Sequence, residues 1–91
     1  MRPQAILDLH GYTSEEAARA VENFLQESRK RGLVKVFIIH GKGSHVEDVH
    51  GEGGVLRKLV RRLLEQHPNA GAFGHPPARE GGTGVVWVRI R

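Results

Sequence analysis

The chain of 91 residues is predicted to fold as an α/β protein, a two-layer sandwich in the order β-α-β-α-β-β with a mixed four-stranded sheet. Four short segments have the alternating or β-branched pattern of strands, and two longer segments have apolar residues at helical spacing. Two strands that are joined through a helix are expected to be parallel neighbours. The last two strands have no helix between them, so they are not required to be parallel. The length, residues 1–91, is that of one domain. A chain of this size buries only ~60–65% of the surface that the unfolded chain exposes, so it forms one modest core.

The first half of the chain is predicted to contain a strand, a helix and a second strand. Residues 5–10 alternate, so the odd-numbered side chains share one face of a strand and the even-numbered ones share the other. A helix follows, since Thr13 and Glu16 have the spacing of a capping box and Gly32 is typical of a helix end. Residues 34–39 are mostly β-branched and apolar, which predicts a central strand covered on both sides.

The second half is predicted to contain a helix and two strands. Helical spacing begins at Val55, which is expected in the buried stripe with Leu64, and ends before Pro68. Residues 72–73 are expected to form a short strand, and residues 85–90 form the last one. The side of the helix away from the core is basic, with Arg57, Lys58, Arg61 and Arg62.

The composition excludes several classes of protein. The absence of cysteine excludes disulfide scaffolds, thiolate zinc sites and cysteine nucleophiles. The apolar runs are far shorter than the ~20 residues of a membrane span, and no secretory signal is present, so a cytoplasmic protein without a membrane partner is expected. The net charge of +4 and the pI near 10.1 favour a nucleic acid as partner.

A cluster of histidines is expected at one edge of the sheet. Asp8 and His10 are two residues apart at the end of the first strand, and His40 directly follows the second. Because parallel strands end at the same edge, we expect Asp8, His10, His40 and Lys42 to form an acid–base site for phosphodiester cleavage. Asp8 would orient His10 or bind a cation beside it. Taken alone, His10 is better explained as a strand-end histidine bonded to a nearby carbonyl, and only its pairing with His40 favours the catalytic interpretation.

The second helix is expected to begin without a side-chain cap. Gly53 and Gly54 precede it, so the free N–H groups of its first turn need a partner. Together with Arg57 they would form an anion site, and water is the alternative partner. None of the glycine-rich segments has the spacing of a Walker or dinucleotide-binding motif, and no organic cofactor is expected.

Four motifs in this order resemble the Smr (small MutS-related) domain family: Leu-Asp-Leu-His-Gly at 7–11, Ile-His-Gly-Lys-Gly at 39–43, Gly-Val-Leu-Arg at 54–57 and Gly-Gly-Thr-Gly at 81–84. The resemblance covers nearly the whole chain. It implies a fold similar to the C-terminal domain of translation initiation factor three, and nucleic-acid binding with structure-directed endonuclease activity. In bacteria this domain ends a MutS paralogue linked to suppressing recombination and, in some lineages, to handling stalled ribosomes, and other members cleave RNA.

The resemblance implies catalytic roles for Asp8, His10, His40 and Lys42. Nucleic-acid contacts are expected from Gly41, Gly43, Gly54, Arg57, Lys58, Arg61, Gly82 and Gly84. The chain departs from the family pattern at residues 44–53, where only one or two residues are typical. We expect a long flexible loop at 43–54 that shapes substrate choice, is disordered without nucleic acid, or binds a metal through His45, His50 and the carboxylates of the loop.

Two functions are open at this point. The first is a largely sequence-independent endonuclease module that nicks branched or unpaired DNA, or RNA. It would act as part of a larger DNA-processing protein. The second is a non-catalytic module that binds nucleic acid or the ribosome. A weakly held Mn²⁺ or Mg²⁺ on Asp8, His10 and His40 would assist DNA cleavage, whereas RNA supplies its own 2′-hydroxyl. Chelation is therefore expected to abolish DNA nicking and to slow RNA cleavage less.

Trp87 is expected on the more open face of the sheet, because the alternate residues Val86, Val88 and Ile90 suit the face that meets the helices. Its indole would either stack on a base or pack across the sheet against Ile6.

Overall fold

The computed structural model describes residues 2–41 and 54–91 and has the expected order of helices and strands. These are β1 (Ile6–Asp8), α1 (Ser14–Lys30), β2 (Lys35–Ile39), α2 (Val55–Gln66), β3 (Ala70–Gly74) and β4 (Val85–Ile90). Two short 3-10 turns, Ala78–Glu80 and Gly82–Gly84, connect β3 to β4. The loop expected at 43–54 lies outside the described residues except for Gly54. Within the described part of the chain, no helix is long and apolar enough to cross a membrane.

Helix α1 begins and ends where its sequence signals predict. The Thr13 hydroxyl accepts a hydrogen bond from the Glu16 backbone N–H at 3.1 Å, and the Glu16 carboxylate accepts one from the Thr13 N–H at 2.9 Å. These two bonds complete the capping box. At the other end, Gly32 has a φ of +71°, a left-handed conformation that glycine adopts without strain.

Helix α2 confirms the predicted helix with one correction. It ends at Gln66, and His67 takes an extended conformation before Pro68. Val60 and Leu64 are buried, but Val55, expected in the same stripe, is 64% exposed. At about 100° per residue, Val55 points roughly 140° away from Val60, which turns it out of the core.

The sheet is mixed, as predicted, with the strand order β1-β2-β4-β3. Strands β1 and β2 are parallel, and β4 is antiparallel to both β2 and β3. Strands β1, β2 and β3 therefore run in the same direction, and their carboxyl ends share the edge where β4 begins. Strand β1 is shorter than expected, because an Asp8 carboxylate oxygen accepts the backbone N–H of His10 at 2.9 Å and turns the chain.

Both helices cover one face of the sheet and enclose the core, which is built from Leu9, Ala17, Val21, Leu25, Val36, Ile38, Val60, Leu64, Ala70, Val86 and Val88. On the other face, Ile6, Phe37, Trp87 and Gly74 are successive partners across the four strands. Trp87 thus lies on the open face as expected. Phe37 separates it from Ile6, and the indole instead lies against Gly74, where an added Cβ would come within 3.1 Å of the ring.

Candidate functional site

A cleft of about 450 Å³ lies between α2 and the sheet, at the ends of β2 and β3. His40 and His75 form part of its wall on the sheet side, and Arg57, Lys58 and Arg61 line it from the helix. The helix-covered face of the sheet thus places two imidazoles and three cations around one solvent-accessible space.

His40 directly follows β2 and is held by backbone groups. Its own N–H and that of Gly41 both donate to the carbonyl of Gly84, each at 3.0 Å. The ring Nδ1 of His40 donates to the carbonyl of Gly41 at 2.7 Å. Because a carbonyl oxygen only accepts, this bond places the proton of the neutral ring on Nδ1. Nε2 is therefore the nitrogen that can act as a base.

His75 directly follows β3 at the same edge of the sheet. Its Nδ1 donates to the carbonyl of Val85 at 2.8 Å, so its Nε2 is also the nitrogen left for a ligand. The ring centroids of His40 and His75 are 6.2 Å apart, with the rings edge to face. Sequence reasoning missed His75, although a histidine directly after a strand is the signal that identified His40.

The surroundings of His40 favour its neutral form. Burial lowers the pKa of the ring, the hydrogen bond with Gly41 raises it, and electrostatic interaction with His75 and Arg57 lowers it further. The net result is a pKa below the ordinary value, because the lowering causes prevail. At neutral pH, His40 is consequently able to accept a proton.

Helix α2 begins without a side-chain cap, as predicted. Its N-cap is Gly54, with a φ of +82°, and the first turn contains no acidic residue. Arg57 is half-buried in the cleft wall, whereas Lys58 and Arg61 are exposed. The Arg61 Nε is 3.4 Å from a Glu65 carboxylate oxygen, which partly neutralises it. Within the described residues, no side chain caps the N–H groups of the first turn, so together with Arg57 they make this end of the cleft attractive to an anion.

Asp8 and His10 do not join His40 in this cleft. Asp8 pairs with Ile39 on the open face of the sheet, while His40 faces α2 on the covered side. The Asp8 carboxylate receives the backbone N–H of His10 and not its ring, so the expected orientation of the imidazole by Asp8 is not the contact observed. Side-chain alternation explains this result, since residues 39 and 40 point to opposite faces.

The expected metal ligands are likewise not gathered together. Among residues 2–41 and 54–91, no group of three or more His, Asp or Glu side chains is arranged to hold a metal ion. The trio of Asp8, His10 and His40 therefore does not form a ligand set in the described part of the chain. A metal site at His45 and His50 falls on residues outside that part and stays a prediction.

The remaining predicted residues divide into two groups. Lys42 and Gly43 lie outside the described residues, so their roles also stay predictions. Gly84 is buried, and its carbonyl holds the backbone at His40, which gives it a positioning role in addition to the contact expected of it. Gly82 lies in the 3-10 turn before β4, with a φ of +53°.

Comparisons with known proteins agree with this fold. The Smr domain family model matches residues 7–91. An uncharacterized protein of Treponema pallidum (strain Nichols) is 45% identical over 98% of this chain, which spans 42% of that protein. Endonuclease MutS2 of Helicobacter pylori (strain J99) is 38% identical over 92% of this chain, which spans 10% of its length.

Two solved structures have the same fold. The Smr domain of Thermus thermophilus MutS2 superposes with a TM-score of 0.83 at 34% identity, covering 96% of this chain and 98% of that one. YdaL, a stand-alone small MutS-related protein from Escherichia coli, has a TM-score of 0.84 at 33% identity and covers 98% of this chain and 66% of its own. With the family model matching from the first strand to the last residue, the chain belongs to the Smr domain family.

Proposed function

We propose that the chain is a nuclease module that nicks DNA, or RNA, at junctions and unpaired regions. The observation that carries this proposal is the cleft in which His40, with its lowered pKa, lies beside Arg57 and the uncapped start of α2. A neutral imidazole next to an anion site is suited to phosphodiester cleavage. The relatives named Endonuclease MutS2 are consistent with this chemistry.

The residues of the cleft would divide the reaction between them. Nε2 of His40 accepts the proton of the nucleophile, which is water for DNA and the 2′-hydroxyl for RNA. A bond forms between that oxygen and phosphorus, the bond from phosphorus to the leaving oxygen breaks, and an acid protonates the leaving oxygen. Arg57 and the N–H groups of α2 stabilise the charge that builds up on the phosphate oxygens.

The charge pattern favours recognition of the nucleic-acid backbone over recognition of bases. The exposed cations of α2 would contact phosphates, which are the same in every sequence. The chain spans only 10% of the Endonuclease MutS2 of Helicobacter pylori, so we place its activity within a larger DNA-processing protein. Selection of the site to be nicked would then depend partly on the rest of that protein.

A nicking assay tests the proposal. Supercoiled plasmid and a structured RNA are incubated with wild-type protein, with His40→Ala and with Arg19→Ala, in which an exposed arginine of α1 is lost. We expect His40→Ala to lower the rate by about 100-fold or more, because it removes the general base. Arg19→Ala should cleave as the wild type does. Equal cleavage by all three proteins would indicate a contaminating nuclease and contradict the proposal.

The second candidate is a module that binds nucleic acid or the ribosome without cleaving. The separation of Asp8 and His10 from His40 favours it, because fewer of the expected catalytic residues meet in one place. Tight binding of branched DNA by a wild-type protein that nicks no substrate would select this alternative.

Repeating the nicking assay with EDTA tests the metal prediction, which requires that DNA nicking be lost.

A further inference from the structure

The motifs at the sheet edge do not identify the group that protonates the leaving oxygen in the proposed cleavage. His10 was expected to fill that role, but it is not among the residues that line the cleft containing His40. His75 lies inside it, with its ring centroid 6.2 Å from that of His40.

The imidazole of His75 is held in the same manner as that of His40. Each ring donates from Nδ1 to a backbone carbonyl, of Gly41 for His40 and of Val85 for His75. Within residues 2–41 and 54–91, neither Nε2 atom has a hydrogen-bond partner. Because a hydrogen bond spans about 2.7–3.2 Å, two rings at this separation can reach different oxygens of one phosphate.

We propose that His75 supplies the second imidazole of the cleavage site and donates a proton to the leaving oxygen. This inference rests on the proposed nuclease function. In the charged form, His75 keeps its Nδ1–H bonded to Val85 and presents an Nε2–H to the cleft. The charged groups of α2 that line the same cleft are Arg57, Lys58, Arg61 and Glu65, so a phosphate bound there would have three cations and one carboxylate around it.

The proton balance of the step is complete. His40 takes one proton from the nucleophile as the new bond to phosphorus forms. His75 gives one proton to the oxygen whose bond to phosphorus breaks. The reaction leaves His40 charged and His75 neutral, and exchange with water restores both rings.

The test compares leaving groups. The first substrate is the DNA or RNA that the wild type nicks. The end groups of the wild-type products identify which bridging oxygen leaves. In the second substrate, sulfur replaces that oxygen. A thiolate leaves without help from an acid, because the pKa of a thiol, about 8.5 in cysteine, lies far below that of an alcohol. The proteins are wild type, His75→Asn, His10→Asn and His40→Asn, with circular dichroism to confirm folding.

We expect His75→Asn, whose amide can still donate to Val85, to cleave the oxygen linkage about 100-fold more slowly than the wild type. On the sulfur linkage it should approach the wild-type rate, whereas His40→Asn should stay slow on both. The inference is overturned if His75→Asn cleaves the oxygen linkage at the wild-type rate. Equal slowing on both linkages, or selective rescue of His10→Asn, would overturn it as well.

These outcomes are distinct from failure of the proposed function. A wild-type protein that nicks neither plasmid nor RNA contradicts nuclease activity itself, and the inference with it. Wild-type nicking that is independent of His75 contradicts only the role of this imidazole. His75→Ala lacks any donor to the Val85 carbonyl, whereas His75→Asn keeps one. Comparing the two variants therefore separates the loss of the proton donor from the loss of the backbone contact.

Discussion

His40 is half-buried and still keeps one ring nitrogen bonded to the backbone. The left-handed Gly41, with a φ of +82°, allows the carbonyl after the ring to turn back and accept the Nδ1 proton. Gly84 then fixes the backbone from the other side by accepting two N–H groups. The position of the His40 ring therefore gives a structural reason for Gly41 and Gly84.

The lowered pKa of His40 predicts that acid weakens the fold. Below about pH 6.5, the unfolded chain binds a proton at residue 40 more readily than the folded protein does. The free energy of unfolding of the wild type should therefore fall as the pH decreases through this range. In His40→Asn this contribution is absent, so urea unfolding at about pH 8 and about pH 5 should show a smaller fall. An equal fall in the two proteins would contradict the lowered pKa.

The two helices differ in how their first turns are satisfied. Helix α1 uses its own side chains, since Thr13 and Glu16 complete a capping box. Helix α2 has glycine at the N-cap and no acid in its first turn, so no side chain of the described residues caps its N–H groups, which are available to water or a ligand. Because of this contrast, we expect an anion to bind at the start of α2 and not at the start of α1.

Arg57 at this end is expected to contact a phosphate. Arg57→Ala should weaken binding of one duplex oligonucleotide and reduce the slope of log affinity against log salt concentration by about 0.9, since one phosphate contact is lost. Arg19→Ala removes the same charge from the exposed side of α1 and should leave the slope unchanged. A slope that is unaffected by Arg57→Ala would remove this residue from the interface.

For the molecule as a whole, the cleft and the indole lie on opposite faces of one sheet. His40 and His75 face α2, whereas Trp87 lies on the open face between Phe37 and Gly74. The Lys35 Nζ is 5.9 Å from the ring centroids of Phe37 and Trp87, so a lysine also lies over the aromatic rings of this face. A nucleic acid bound only at the cleft would not reach the indole.

Trp87 fluorescence distinguishes the two faces. We expect the emission to stay constant when a single-stranded oligonucleotide is added up to saturation, as judged by a parallel anisotropy measurement. A cleft-bound oligonucleotide leaves the surroundings of the indole unchanged. Quenching that persists in Arg57→Ala would instead assign base stacking to the open face.

Local periodicity predicted the helices, the strands and the faces of most residues, because each of these depends on neighbours in sequence. It did not predict that β4 inserts between β2 and β3, since strand order depends on pairing between distant segments. For that reason His75 was overlooked, whereas Asp8 was assigned to the site of His40 because the alternation of side chains between residues 39 and 40 was not taken into account. The correct neighbours follow only from the register of all four strands.

The central position of β4 has a consequence for synthesis of the protein. Strands β1 to β3 leave the ribosome before β4, yet His40 and His75 are joined through the carbonyls of Gly84 and Val85 at the start of β4. A nascent chain that ends before β4 lacks the contacts that Gly84 and Val85 make with these two histidines. A nuclease built in this way would stay inert beside its own messenger RNA until translation has passed the final strand.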